Sequence, residues 1–160
     1  MSALLDAFQI IMLSSVAVIA GGRIYVARVV LPAIATFPPE LSVRMHQELL
    51  TRRSGKVFKP MNYVALAAAA ACIIVTPFVS HIHEWATIAL TAIVLLALSA
   101  YGVLTTREMP INREVNSWEP GVVKDNYPEL RATWDHHSQI KLACSVLAFA
   151  CAVAAIYVSH

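Results

Sequence analysis

Charged residues are scarce in this chain. Asp, Glu, Lys and Arg make up 14% of its 160 residues, against about a quarter in ordinary soluble domains, while hydrophobic residues make up 58%. So few charges cannot cover the surface of a water-soluble domain of this size. The composition therefore excludes that class of protein and predicts an integral membrane protein.

Cysteine is also rare, and its spacing is informative. The three cysteines, Cys72, Cys144 and Cys151, fall within apolar stretches, and no two of them form a C-x-x-C pair. A thiol-disulfide enzyme of the membrane needs neighbouring reactive thiols. The sequence argues against that class of enzyme, and we expect the three side chains to be packing residues.

The first apolar stretch has no basic residue before it. It also runs beyond the roughly 7–15 apolar residues of a secretory signal and has no clear small-residue cleavage site. We therefore expect this stretch to be retained as a membrane helix.

Four apolar windows are long enough to cross a membrane, which takes about 20 helical residues. They cover residues 7–31, 60–80, 85–104 and 140–158. The sequence therefore predicts an all-α fold, a four-helix transmembrane bundle that uses residues 1–160 as one domain. The connection between the second and third windows is very short, so these two helices should be antiparallel neighbours.

Lys and Arg are distributed unevenly. Both termini and the connection between the second and third windows lack them, whereas the two long loops contain Arg44, Arg52, Arg53, Lys56, Lys59, Arg107, Arg113, Lys124 and Arg131. By the positive-inside rule, the two long loops are cytoplasmic and both termini face outward. We expect a multi-pass protein of a bacterial-type inner membrane.

The first long loop is predicted to contain a short amphipathic cytoplasmic helix. Apolar residues recur at near-helical spacing from Leu41 to Arg53, and Gly55 is a natural end for the helix. His46 and Glu48 lie on this helix; either could face a site, and a solvated helix face is the favoured interpretation.

The second long loop is predicted to form a helical hairpin before the last membrane helix. Pro110 disfavours helix at Met109, so a short helix should cover residues 111–118, with Asn112 and Asn116 on one face. Asp125-Asn126 is a start signal for a last helix that runs unbroken to about residue 158.

Arg23 lies inside the first apolar window. If that helix closes at Leu31-Pro32, a rise of 1.5 Å per residue places Arg23 about 12 Å from Leu31. An Arg within the membrane costs a few kcal/mol and by default marks a site or a pairing residue. We therefore include Arg23 among the candidate functional residues.

Three short motifs together resemble the anthrone-oxygenase-like family of small four-helix membrane proteins. They are the stretch from Gly22 to Pro32 followed by Ala33, the sequence Met109-Pro110-Ile111-Asn112 with Trp118 downstream, and Trp134-x-x-His137. Pro110 and Asn112 match the Pro-x-Asn element of the family, and Trp134 and His137 match its Trp and the polar residue that follows. The chain departs from the family just beyond, where Gln139 and Lys141 occupy the region of a common Arg.

The resemblance implies an oxygenase-type oxidoreductase that acts with dioxygen on a small aromatic, anthrone-like or otherwise lipophilic substrate at the cytoplasmic face. Such chemistry needs a base, donors for an enolate oxygen and an apolar slot. We predict His137 as the base and Asn112 and Arg23 as donors. The candidate substrate-binding residues are Trp134, Trp118, Asn116, Asn62 and Tyr25.

The cofactor is left open between none and a metal or haem bound through His137. His136 and His137 diverge by about 100° on a helix and cannot both bind one metal. A metal site would need one of them with His46, Glu48 or Asp135, and no spacing matches a zinc signature. A weaker set on the outer face comprises His81, His83 and His160.

Two other function classes fit the sequence. A glutathione- or lipid-handling membrane protein would bind a carboxylate or a lipid headgroup through Arg52, Arg53, Arg107 and Arg113. A non-catalytic membrane subunit or ligand-binding protein would dock a partner on the polar hairpin. The expected partners are the lipid bilayer and a small lipophilic ligand, with no nucleic acid, and both a monomer and a homo-oligomer stay open.

Overall fold

A computed structural model describes residues 2–79, 84–120 and 122–159. Within these ranges every regular element is helical and there is no strand. The predicted histidine set His81, His83 and His160 lies outside the described residues.

The first apolar window forms a longer helical stretch than predicted. Helix α1 (Ser2–Tyr25) continues through a π-helical turn (Val26–Val30) into α2 (Leu31–Ala35). The predicted end at Leu31-Pro32 is wrong, because the helical stretch continues past Pro32 to Ala35. The π-helical turn before Pro32 shifts the backbone hydrogen bonds, and the Leu31 N–H group donates to the carbonyl of Val26, five residues back.

The first long loop is helical throughout most of its length. Helix α3 (Pro39–Met45) leads into a π-helical segment (His46–Arg53), which runs directly into α4 (Ser54–Val75) and a short 3-10 turn (Thr76–Phe78). The predicted helix end at Gly55 is wrong. Gly55 has a helical backbone rather than the left-handed conformation with which Gly ends a helix.

The second half of the chain follows the predicted order of elements. Helix α5 (Glu84–Arg107) is followed by α6 (Met109–Asn116), and α7 (Tyr127–Ser159) begins directly after Asp125-Asn126 and runs unbroken. The break between α5 and α6 falls at Glu108, so Met109 is already helical. The predicted bounds of the short helix, 111–118, are therefore wrong by two residues at each end, because Pro110 is tolerated in the first turn of α6. This break turns the Glu108 side chain inward, where it is almost fully buried.

Four helical stretches are long and apolar enough to cross a membrane. They are Ala3–Ala35, Gly55–Phe78, Glu84–Asn116 and Tyr127–Ser159. Each contains one of the predicted windows almost entirely and is longer than that window. The last two stretches gain their extra length from polar turns at one end.

The four long helices pack side by side. Helix α1 contacts α4 and α7, and α5 also contacts α4 and α7. Met12, Ile19 and Leu98 pack in the core between them, and alanines such as Ala69 and Ala152 allow the backbones to approach closely. These apolar side chains make most of the contacts between the four helices. The core therefore fixes the positions of the polar residues that lie at one end of the four-helix arrangement.

The three cysteines pack against other apolar side chains. All three are free thiols; Cys72 and Cys151 are buried and Cys144 is half-buried. Their burial agrees with the prediction that they are packing residues.

A second apolar cluster holds the short elements against the start of α7. Val43 from α3, Val115 from α6 and Trp134 from α7 are buried in it. Gln47 also donates a hydrogen bond of 2.8 Å to the backbone carbonyl of Val115, which ties α6 to the π-helical segment. The polar cavity described next lies between this second cluster and the main core.

Candidate functional site

A cavity of about 200 Å³ lies where α1, α4, α5, α6 and α7 meet. The charged residues that line it are Arg23, Lys59, Arg113, Lys141 and Glu108. Four cations therefore face a single carboxylate. This balance favours an anionic ligand over a cationic one.

Arg23 is held in the cavity wall by an aromatic residue. Its side chain is 7% exposed, and its Nε and Nη2 atoms donate hydrogen bonds of 3.0 and 2.5 Å to the hydroxyl oxygen of Tyr101. Among the described residues no carboxylate pairs with this guanidinium group. Arg has five N–H donors, so donors remain for a ligand in the cavity.

Lys141 and Glu108 form a buried ion pair in the same wall. The Lys141 ammonium group donates a hydrogen bond to Oε2 of Glu108, and the two side chains are 1% and 4% exposed. The other carboxylate oxygen, Oε1, is buried and has no hydrogen-bond partner among the described residues. An orphaned oxygen on a buried carboxylate is costly unless something in the cavity donates a hydrogen bond or a proton to it.

Aromatic rings form the apolar walls of the cavity. The Arg23 guanidinium carbon lies 4.7 Å from the ring centre of Phe58 and 5.1 Å from that of Tyr101, and Lys141 Nζ lies 5.7 Å from the ring of Trp134. These are distances at which a cation is attracted to the face of an aromatic ring. The rings therefore help to position the cations and form apolar parts of the cavity wall.

Asn112 and Asn116 line the cavity from one face of α6. The Oδ1 atom of Asn112 lies 3.4 Å from Nε2 of His46, and Oδ1 of Asn116 is buried without a hydrogen-bond partner among the described residues. The i, i+4 spacing predicted that these two side chains share a face. Arg23 and Trp134 line the same cavity, so the structure brings four predicted site residues together.

His46 is fully buried, so its predicted place on a solvated helix face is wrong. Its ring packs 5.1 Å from the ring of Trp134 and 6.3 Å from that of Tyr127. Burial, reinforced by the positive charge of Arg131, lowers the pKa of His46 to about 4, against the opposing effect of its hydrogen bond with Asn112. His46 is therefore a neutral hydrogen-bonding group at neutral pH.

Other predicted site residues lie away from the cavity. His137 is half-buried beside His136 and is not among the lining residues, and its Nδ1 atom has no hydrogen-bond partner in the described structure. Trp118 is buried against Tyr127 in the second apolar cluster, 5.9 Å between ring centres, and Tyr25 is exposed. The cavity thus lacks the side chain that the sequence proposed as its base.

Asn62 lies deeper in its helix than the predicted window, residues 60–80, implies. Because α4 begins at Ser54, Asn62 lies in the third turn of the helix rather than the first, and it is buried. It lines a second opening between α4 and α5 rather than the polar cavity.

The described residues contain no group of three or more His, Cys, Asp or Glu side chains placed to hold a metal ion. Asp135 forms an ion pair with Arg131 at 2.9 Å, and Glu48 is exposed. The predicted metal candidates His46, Glu48, Asp135 and His137 therefore do not meet at one point. A haem with His137 as its axial ligand stays a prediction.

Glu108, Tyr101 and Phe58 were not selected from the sequence. One signal was present for Glu108: Lys141 lies inside the fourth apolar window, residues 140–158, and a buried Lys needs an acidic partner. Nothing in the spacing of the chain identified which carboxylate that was. No protein-family model, curated protein or solved structure significantly matches this chain.

Proposed function

We propose that this chain is a multi-pass membrane protein whose cavity binds a small, weakly acidic aromatic molecule, stabilises the anion that forms when this molecule loses a proton, and promotes its oxygenation by dioxygen. The substrate class is that of anthrones and related carbon acids. The observation that carries the proposal is the unpartnered Oε1 atom of Glu108 in a cavity whose other charged residues are all basic. A general base must present such an oxygen to the proton that it removes.

Glu108, rather than His137, is the base in this proposal. When Glu108 accepts a proton from a methylene group of the substrate, its own negative charge disappears and the enolate of the substrate carries that charge instead. Lys141, which until then is paired with Glu108, faces the new anion. The net charge of the cavity is unchanged, so the transfer does not create an uncompensated charge in a buried site.

Arg23 supplies further hydrogen bonds to the enolate oxygen. Its guanidinium group is already oriented by Tyr101 and Phe58, so it does not have to be ordered during the reaction. Asn112, held by His46, and Asn116 provide neutral amide donors beside it. The ring of Trp134 forms a wall against which a flat substrate stacks.

The reaction balances with dioxygen as the only oxidant. Loss of one methylene proton gives the enolate, which forms a carbon-oxygen bond with dioxygen and becomes a hydroperoxide after protonation. Loss of the second proton from that carbon then breaks the oxygen-oxygen bond and releases water. The methylene group becomes a carbonyl group, losing four electrons, and dioxygen gains the same four.

We also propose that the four long helices form a transmembrane bundle with the cavity at its cytoplasmic end. The basic residues of the two long connections, such as Lys59 and Arg113, lie at this end of the helices and line the cavity. A lipophilic substrate dissolved in the bilayer would then meet the site at the depth of the membrane surface.

Simultaneous measurement of oxygen uptake and anthraquinone formation tests this function. The purified protein in lipid nanodiscs, given anthrone, should consume one dioxygen for each anthraquinone formed, faster than empty nanodiscs. Arg23→Leu should reduce this rate strongly, because it removes the donors for the enolate oxygen. Equal rates with and without the protein would contradict the proposal.

Binding of a carboxylate or lipid headgroup without catalysis is the second candidate. Arg113, which lines the cavity, favours it, because Arg binds carboxylates and phosphates with paired hydrogen bonds. If the protein bound glutathione or an anionic lipid in the cavity and gave no oxygen uptake with anthrone, this second function would replace the first.

A further inference from the structure

A second opening adjoins the polar cavity. It is a cleft of about 290 Å³ between α4 and α5, and it shares Lys59, Tyr101, Thr105 and Met109 with the cavity as lining residues. Because Tyr101 belongs to both walls, its ring lies at the boundary between them. A molecule that extends past this ring would occupy both spaces.

Asn62 is an unpartnered polar group in this cleft. Its side chain is 5% exposed, and its Oδ1 atom is buried without a hydrogen-bond partner among the described residues. Leu66 and Val103 also line the cleft, and the hydroxyl groups of its Ser99, Thr105 and Thr106 donate their hydrogen bonds to backbone carbonyls of their own helix. A buried amide oxygen without a donor costs free energy, so its presence here points to a donor that arrives with a ligand.

The outer edge of the cleft faces away from the helix core. Tyr63 and Val103 line it and are among the most exposed large side chains of the two helices that bound it. Both belong to stretches long and apolar enough to cross a membrane. In a bilayer this edge would open to lipid, which is the phase from which a lipophilic molecule arrives.

The volumes of the polar cavity and of the cleft limit how a ligand can be placed. The polar cavity, at about 200 Å³, is smaller than the roughly 300–1,000 Å³ typical of sites for drug-sized ligands. The cleft adds about 290 Å³. A polycyclic ligand whose acidic part lies in the cavity must therefore extend into the cleft.

We propose that the cleft between α4 and α5 is a second subsite, in which Asn62 accepts a hydrogen bond from a hydroxyl group on the lipophilic part of the substrate. This inference rests on the proposed function, since it extends the same ligand beyond the polar cavity. It assigns a substrate class, hydroxylated polycyclic carbon acids, and makes Asn62 a specificity-determining residue. It also assigns the lipid-facing edge of the cleft as the route of access.

Two ligands and two cleft variants test the subsite, and a third variant serves as the control. Binding to the protein in nanodiscs is measured for 2-hydroxyanthrone and 2-methoxyanthrone, which differ in a hydrogen-bond donor. The unmodified protein should prefer the hydroxyl compound by about fivefold, the value expected for one hydrogen bond, and Asn62→Leu should bring the ratio close to one. Gly102→Leu should weaken binding of both compounds about tenfold or more, because the new side chain fills the cleft beside Asn62.

Gly21→Leu is the matched control for the filled cleft. Gly21 also lies within a membrane-length helix, but nothing lies within 4 Å of the position that its Cβ would take. This variant should bind both anthrones like the unmodified protein. A loss in Gly21→Leu as large as that in Gly102→Leu would show that the effect is not local, and would overturn the subsite.

A small anion separates failure of the subsite from failure of the proposed function. 4-Nitrophenolate, which is monocyclic, should bind in the polar cavity alone, so Arg23→Leu should abolish its binding while Asn62→Leu and Gly102→Leu leave it unchanged. If both cleft variants bind the anthrones normally while Arg23→Leu does not, the subsite is overturned and the anion site stands. If the unmodified protein binds none of the three molecules, both proposals are overturned. Should Asn62→Leu not fold, Asn62→Ala replaces it in the same comparison.

Discussion

Lys141 donates a hydrogen bond to one carboxylate oxygen of Glu108, while the other oxygen of the same carboxylate has no partner among the described residues. The two residues are 33 positions apart in the chain and both are buried. A buried ion pair is expensive to form in place of apolar side chains, and here one of its hydrogen-bonding positions is left open. That combination is the expected arrangement for a carboxylate that receives a proton.

The first prediction separates the two candidate bases. Glu108→Gln should lower the rate of anthraquinone formation by about 10²–10⁴-fold, the usual contribution of a general base, because an amide cannot accept the proton. His137→Ala should retain turnover, because His137 does not line the cavity. If Glu108→Gln is fully active and His137→Ala is inactive, the base is His137, as predicted from the sequence.

The second prediction concerns the stability of the buried pair. Lys141→Met should lower the free energy of unfolding by about 3–5 kcal/mol, because it leaves the Glu108 carboxylate buried without its partner. The double variant Lys141→Met with Glu108→Leu should recover most of this loss. Unfolding by SDS in mixed micelles measures both. Additive losses in the double variant would mean that the two charges do not interact.

The third prediction concerns the loss of folding stability at low pH that His46 causes. The pKa of His46 is lowered from 6.5 to about 4 in the folded protein, so between these values the unfolded chain binds a proton that the folded chain does not. This residue therefore gives full stability above about pH 6.5, and on the order of 3 kcal/mol is lost as the pH falls to about 4.

His46→Gln keeps a hydrogen-bonding side chain and removes the titration. The free energy of unfolding of this variant should fall less steeply than that of the unmodified protein between pH 6.5 and 4. Parallel curves for His46→Gln and the unmodified protein would contradict the burial of a neutral His46.

The helices could be predicted where local signals are strong. Asp125-Asn126 before Pro128 set the start of α7, and the spacing of Asn112 and Asn116 placed both on one face. Helix ends were predicted wrongly where the surrounding structure overrides a sequence signal that usually ends a helix. Pro32 reads as a stop, but it became the start of α2 because the π-helical turn before it reorganises the hydrogen bonds.

The site could be predicted only in part because its key contact is distant in sequence. Arg23 was recognisable from its apolar surroundings, whereas Glu108, between Arg107 and Met109 in a polar loop, resembles any solvated carboxylate. Its burial depends on the packing of α5 against α7, which no local pattern encodes. His46 was missed for the same reason: packing by Trp134 and Tyr127 decides its environment.

The fourth prediction uses two adjacent glycines. A Cβ atom at Gly22 would lie 2.5 Å from Cε1 of Phe58, whereas one at Gly21 would have nothing within 4 Å. Gly22→Ala should therefore displace the Phe58 ring, which forms a wall of the cavity, and weaken binding of 4-nitrophenolate. Gly21→Ala should leave binding unchanged and raise stability by up to about 1 kcal/mol, because Ala favours helix over Gly. Equal affinities in the two variants would contradict the role of Phe58 in the cavity wall.

The most direct measurement of the central claim is the exchange of methylene deuterium from deuterated anthrone into water without oxygen. Exchange requires only removal and return of the proton, so it reports the base and the enolate donors and does not depend on the oxidation. The unmodified protein in nanodiscs should accelerate exchange well above empty nanodiscs, and Glu108→Gln should abolish the acceleration. An exchange rate equal to that of empty nanodiscs, or one that Glu108→Gln leaves unchanged, would contradict the assignment of Glu108 as the base of a carbon-acid site.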